Sequence, residues 1–185
     1  MIKMIYFSVV YFITVIIIAH FFAPPGYVWT RNTISDLGSQ GHVHKWIMQA
    51  GFIGFGVLLT AAMVLKFWDL GRVNYPDVLI IAYGLSIMVT GFFCAAPIDK
   101  TIPFSAREEQ IHSLFAQLAG FFLIAAILWY LFTSPSRWAF HLIFLILIMG
   151  ISGLFGLSEN GIIAIEKGIL QRALYLVSFI WLVLV

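Results

Sequence analysis

MIYFSVVYFITVIIIAHFF, residues 4–22, runs from Met4 to Phe22 without one Asp, Glu, Lys or Arg. An α-helix of about 20 apolar residues crosses the hydrocarbon layer of a bilayer. The flanks admit a second reading: Lys3, an apolar stretch and small residues near Ala23 also outline a signal peptide. The apolar run continues through His20 to Ala23, longer than a signal-peptide core, and so predicts a first transmembrane helix.

Five more stretches qualify in the same way: 46–65, 78–96, 111–132, 138–157 and 168–185. Trp46, Trp68, Trp129, Trp138 and Trp181 lie near segment ends, where interfacial tryptophans anchor helices. The pair Pro24-Pro25 with Gly26, then Pro76, Pro97, Pro103 and Pro135, fall at or beyond those ends, where helices stop. The whole chain agrees. Of its 185 residues, 62% are hydrophobic and 10% charged, and the mean hydropathy is +1.03. Soluble domains carry about 25% charged residues, so a water-facing surface cannot be built from this set. The expected fold is an all-α integral membrane protein, a six-transmembrane-helix bundle forming a single transmembrane domain over residues 1–185. A net charge of +2 gives no argument for a nucleic-acid partner. The lone cysteine, Cys94, excludes an intramolecular disulfide and any cysteine-rich metal site.

Six crossings put both termini on one side and loops 23–45, 97–110 and 158–167 together on the other. Most of the polar residues follow that asymmetry. Loop one carries Asn32-Thr33-Ile34-Ser35-Asp36-Leu37-Gly38, His42 and His44; loop three carries Asp99 and leads into His112; loop five carries Glu159, Asn160 and Glu166, with Arg172 one turn inside helix six. The connectors on the other face are short and carry no chemistry of note apart from Lys66, Asp69, Arg72, Asp77 and Arg137. Lys and Arg counts favour the motif face as cytoplasmic, whereas Lys3 at the N-terminus favours the opposite, extracytoplasmic placement; the latter is the expectation carried forward. A short recurrence accompanies the hairpins: His44 precedes Gln49, His112 precedes Gln117 and Glu166 precedes Gln171 at one offset.

Polar groups clustered at the mouth of a lipid-embedded bundle suggest a site. Imidazoles and carboxylates suit a divalent ion, zinc first among them. The residue types nominate Asp36, His44, Asp99 and His112 as metal ligands. They nominate Ser35, Asp36, Asp99 and His112 as catalytic groups, and Arg31, Arg172 and Trp46 as substrate-binding ones. The bland alternatives are concrete: Ser35 and Asp36 bond their own turn, Asp99 caps a helix, the histidines sit at headgroup depth, and Arg172 pairs with Glu166 or Asp36.

Pro25-Gly26-Tyr27 followed by Arg31-Asn32-Thr33-Ile34-Ser35-Asp36-Leu37-Gly38 resembles the first motif of the DUF998 family of multi-pass prokaryotic membrane proteins. Pro97-Ile98-Asp99 with His112 is similar to its second motif, and Gly168-Ile169-Leu170-Gln171-Arg172 with Trp181 to its third. An acidic residue is expected where this chain has Gln171. The family is named for having no known function, so the resemblance implies a fold and a choice of residues but no activity. A more distant similarity is to the ceramidase and progestin-receptor-like membrane hydrolases, which have seven helices and a paired-histidine motif missing from this sequence.

The residues therefore lead first to a metal-dependent hydrolase or transferase acting on a lipid or lipid-linked substrate at the membrane surface, and the resemblance implies that this membrane is a prokaryotic inner membrane. The alternatives are a structural or accessory membrane protein and a small transporter. A transport path needs polar groups at helix centres, and only Ser86, Thr90, Gln117 and Ser152 lie deep. A haem carrier pairing His20 with His112 is a further possibility, weakened by the one-sided distribution.

Overall fold

Backbone amides in hydrocarbon have no water to bond, so an apolar chain of this kind satisfies them within helices. The computed structural model describes residues 2–185 and contains six long helices. They are α1 (Ile2–Phe21), α2 (Lys45–Leu70), α3 (Tyr75–Phe92), α4 (Ala106–Thr133), α5 (Trp138–Glu159) and α6 (Lys167–Leu184), with short 3-10 turns at Ser35–Gly38 and Pro135–Arg137. Each of the six is long and apolar enough to cross a membrane. The protein is an all-helical membrane bundle.

The helix ends differ from the sequence reading for local reasons. α2 continues past Leu65 to Leu70, and Gly71 then turns the chain with φ +61°. α3 begins at Tyr75, three residues early, because Pro76 fits the first helical turn. It stops at Phe92, not Ala96: Phe93 is already extended (φ −117°, ψ 143°), ahead of Pro97. α4 starts at Ala106, five residues early, where the Ser105 hydroxyl accepts from the Glu108 amide at 3.3 Å.

Consecutive helices pack side by side, and α6 returns towards α1 through a much thinner contact. The tightest join is between α2 and α3. A side chain at Gly56 would run into the backbone of Gly84 and Met88, so only glycine lets these helices approach so closely. The core centres on Phe12 of α1, fully buried, with Phe52, Phe55, Tyr175 and Phe179 at ring-centroid distances of 5.1–5.7 Å. α5 is the outlier. Its buried residues, His141, Leu145 and Ile148, all lie in its first half, and Gly150, Gly153 and Gly156 face open space.

Candidate functional site

The motif of loop one is folded against the start of α6. Gly168 carries the closest approach: a Cβ there would come within 2.7 Å of the carbonyl oxygens of Trp29, Thr30 and Asn32. The Ile169 amide donates to the Thr30 carbonyl at 3.0 Å, and the Ile34 amide donates to Gln171 Oε1 at 2.5 Å. A carboxylate at position 171 would accept the same bond, so glutamine keeps this contact without its charge.

Arg172 is the hub. One terminal nitrogen donates to the Asn32 and Gly168 carbonyls, both at 2.9 Å. The other donates to the Tyr27 hydroxyl and faces His20 Nε2 at 3.1 Å. His20 Nδ1 lies 2.7 Å from the Ile16 carbonyl, which can only accept, so Nδ1 carries the proton and Nε2 offers a lone pair to the guanidinium. The Trp29 ring lies over the same guanidinium, 5.9 Å from its centroid. Burial raises the pKa of Tyr27; the Arg172 cation opposes that shift and Asp36 adds to it. Tyr27 therefore stays a neutral phenol, accepting from Arg172 while donating to the Thr33 carbonyl at 3.2 Å.

Asp36 does not pair with Arg172. Its Oδ2 accepts from the Thr33 amide at 2.7 Å and the Asn32 side chain at 3.4 Å, and Asn32 Oδ1 accepts from the Val28 amide at 2.9 Å. These are bonds of a short polar side chain to its own turn. Ser35 is buried in that turn. The loop-one motif is thus a folded knot clamped by α6.

A second group joins loop one to loop three. Gln40, buried, behaves like a piece of backbone: its Oε1 accepts from the Ser105 amide at 2.8 Å, and its Nε2 donates to the carbonyls of Ser105 (3.0 Å) and Cys94 (3.2 Å). His112, also buried, sits at 3.1 and 2.9 Å from the carbonyls of Thr90 and Phe93 and so caps the end of α3. Glu108 accepts from the Cys94 amide at 2.9 Å. Burial pushes the Cys94 thiol up to about 11.

The nominated residues therefore fall into separate groups. Asp36 belongs to the loop-one knot and His112 to the end of α3. Asp99 is exposed, accepting from the Thr101 amide (2.9 Å) and hydroxyl (2.7 Å), and these two bonds lower its pKa. His44 precedes α2 and packs on Phe22 and His42, at 5.0 and 5.8 Å between ring centroids. Among the described residues no three His, Cys, Asp or Glu side chains come together as a metal-holding group, so the set Asp36, His44, Asp99 and His112 is not assembled. Short polar side chains bonded to their own loops have no reach left to meet. Arg31 and Trp46 are exposed, and Arg172 has four of its five N–H groups occupied. The recurring glutamines diverge as well: Gln171 holds loop one, whereas Gln117 is exposed.

At the opposite end, where the sequence sets apart Lys66, Asp77 and Arg137 but not Tyr130 or His141, the structure builds a buried network. Asp77, with no exposed surface, accepts from Lys66 on Oδ1 (2.9 Å) and is ion-paired with it through Oδ2 (2.8 Å), and accepts from Tyr130 (2.6 Å) and Asn74 (3.2 Å). Tyr130 stacks on His141 at 5.4 Å, and His141 Nδ1 accepts from the Trp181 indole at 3.2 Å. The only sequence signal was an acid one residue beyond Pro76, the pattern of an ordinary helix N-terminus.

The family model described as "Protein of unknown function (DUF998)" matches residues 7–185, nearly the whole chain, and the chain belongs to that family. No curated protein and no solved structure matches it.

Proposed function

We propose that this DUF998 protein is a non-catalytic accessory protein of the membrane, in which the motif-face polar residues lock loops to helices and hold out a rigid polar rim at headgroup depth. One observation carries the reading. Arg172, the best candidate for an anion clamp, directs four N–H groups to partners in its own chain: Asn32, Gly168, Tyr27 and His20. A group built to bind substrate keeps donors free for it. Gln40, Gln171 and Asp36 likewise have partners within the chain.

Lipid hydrolysis or transfer is a second reading. A half-buried phenol, imidazole and guanidinium meet beneath an exposed Trp29, a place where an amphipathic substrate would sit. In that reading a divalent ion, zinc first, would be recruited by His44, Asp36, Asp99 or His112 after rearrangement, and Arg31 and Trp46 would meet the lipid.

Asp36→Asn and His112→Ala separate the two. As structural groups they lower the unfolding temperature, and the wild type turns over no member of a lipid panel with or without added zinc. Turnover by wild type that is lost in variants of unchanged stability would overturn the accessory role. We place the protein in a prokaryotic inner membrane with the motif loops outside. Cysteines at Val43 and Lys100 in a Cys94→Ala background are then labelled from outside by an impermeant thiol reagent, and labelling only after lysis reverses the orientation.

A further inference from the structure

Gln117 stands apart from the other deep polar side chains. Ser86 and Thr90 return their hydroxyls to their own helix, donating to the Ala82 carbonyl at 2.8 Å and the Ser86 carbonyl at 2.9 Å. Ser152 is half-buried and carries the same kind of group. Gln117 is exposed, and its carboxamide makes no hydrogen bond among the described residues. Depth makes this costly. α4 has 28 residues and so is about 42 Å long, against a hydrocarbon layer of about 30 Å. However the excess is shared between the two ends, position 117 lies inside the layer. An amide facing lipid there, with neither water nor a partner, is unfavourable in a way that an exposed leucine is not.

The surroundings of Gln117 have the form of a helix contact. Leu114, Gln117, Phe121 and Leu128 are all exposed and follow one another at intervals of three, four and seven residues. A repeat of about 3.5 residues keeps one seam along a helix. His112, Ala119 and Ala126 are buried and form a second row, offset by about 200° from Gln117, that holds the other side of α4 against the bundle. The exposed row therefore points outward.

Leucine and phenylalanine alone would rest in lipid, because acyl chains are as apolar as they are. Gln117 selects the occupant. Copies of a membrane protein share one orientation, so two that meet by the same helix run parallel about a two-fold axis along the membrane normal. Position 117 then has the same depth in both. A carboxamide carries an acceptor oxygen and a donor NH2, so each Gln117 can donate to the other and accept from it. A lipid tail offers neither.

We propose that the outer face of α4 is the interface of a parallel homodimer, in which Gln117 pairs with its counterpart in a second copy while Leu114, Phe121 and Leu128 interdigitate along the same seam. The surface uses none of the residues of the motif-face lock.

The full chain, labelled through Lys100→Cys in a Cys94→Ala background, is reconstituted in phosphatidylcholine vesicles with donor and acceptor dyes on separate copies. Energy transfer is followed as the protein-to-lipid ratio falls. The chain with Gln117 intact should show transfer that saturates at high ratio and varies linearly with acceptor fraction, as a dimer requires. Gln117→Leu should move the midpoint to about tenfold more protein per lipid, the loss of two interhelical hydrogen bonds. Ser152→Ala, which removes another deep polar group, should leave the midpoint in place. Cross-linking gives a separate answer that holds if Gln117→Leu fails to fold. In the Cys94→Ala background, oxidation by copper–phenanthroline should join copies of Leu114→Cys and of Phe121→Cys, which keep Gln117. It should not join copies of Ile13→Cys, exposed near the middle of α1, a helix whose neighbours are α2 and α6. Transfer no greater than random crowding at every ratio leaves the face to lipid or to a different membrane protein and overturns the proposal. So do the non-linear acceptor dependence of a larger assembly, an unmoved midpoint in Gln117→Leu, an equal shift in Ser152→Ala, or Ile13→Cys joining as fast as Leu114→Cys.

Discussion

Removing Arg172 tests the motif-face lock most directly. In Arg172→Ala the Tyr27 hydroxyl keeps its bond to the Thr33 carbonyl, and the Gly168 carbonyl keeps the helical amide four residues on. Two acceptors lose their guanidinium partner: the Asn32 carbonyl and His20 Nε2. Each unsatisfied acceptor costs about 1 kcal/mol where water partly replaces the donor. Loss of the Trp29 contact adds about 0.5–1 kcal/mol. The total is about 2–3 kcal/mol, or a fall of about 5–10 °C in the unfolding temperature for a chain of this size. Arg172→Lys should recover less than half, since an ammonium cannot span two carbonyls, a phenol and an imidazole in one plane. Arg31→Ala, an exposed neighbour with the same formal charge change, should unfold with wild type. The assay is thermal unfolding in one detergent, followed by tryptophan fluorescence. If Arg172→Ala unfolds within a degree of wild type, or Arg31→Ala falls equally, the lock is not what holds loop one.

Gln40→Ala should cost about 2 kcal/mol, because the Ser105 amide and the carbonyls of Ser105 and buried Cys94 lose their partner, and limited proteolysis should then cut near Thr101–Phe104 where wild type resists. His42 has its pKa lowered, first by burial and then by the neighbouring His44, with a Phe22 backbone bond opposing. Folding therefore disfavours its protonation, and the contribution of this site is intact above the ordinary histidine range and lost as pH falls through it. His42→Asn should flatten the acid side of the unfolding-temperature profile between about pH 7 and 5; an unchanged slope rejects that assignment. Cys94, buried and with its thiol raised to about 11, should react with a neutral maleimide at pH 7.5 only after denaturation. Modification of the folded protein at a free-thiol rate contradicts its burial.

The six helices were legible because hydrocarbon thickness acts on chain length alone: any run of about 20 apolar residues announces itself. Helix ends were less so. They depend on which side chain meets a terminal carbonyl, and nothing local to Thr90 or Phe93 tells that His112 will cap them. Loop one stands out in the sequence by its polarity. Its residues meet as a folded motif in which Asn32, Thr33 and Asp36 bond their own turn, an arrangement their residue types alone do not announce. Short side chains such as Asp36 and Asp99 are read equally well as ligands or as loop formers, and only distance decides. The Asp77 network was missed for the opposite reason. Lys66, Asp77 and Tyr130 are scattered over three helices, each in a position where an exposed residue of the same type is common.

The lock between loop one and α6 joins residues separated by 140 positions. During synthesis loop one emerges well before Arg172. Until α6 arrives, the Asn32 carbonyl and the Ile34 amide have no partners from this chain, although four or five helices are already in the membrane. The contact therefore reports the arrival of α6. A ribosome that stalls after α5 leaves Phe12 without Tyr175 and Phe179, and the rim unsealed. The slack then falls on a loop far from the missing helix in sequence and next to it in space.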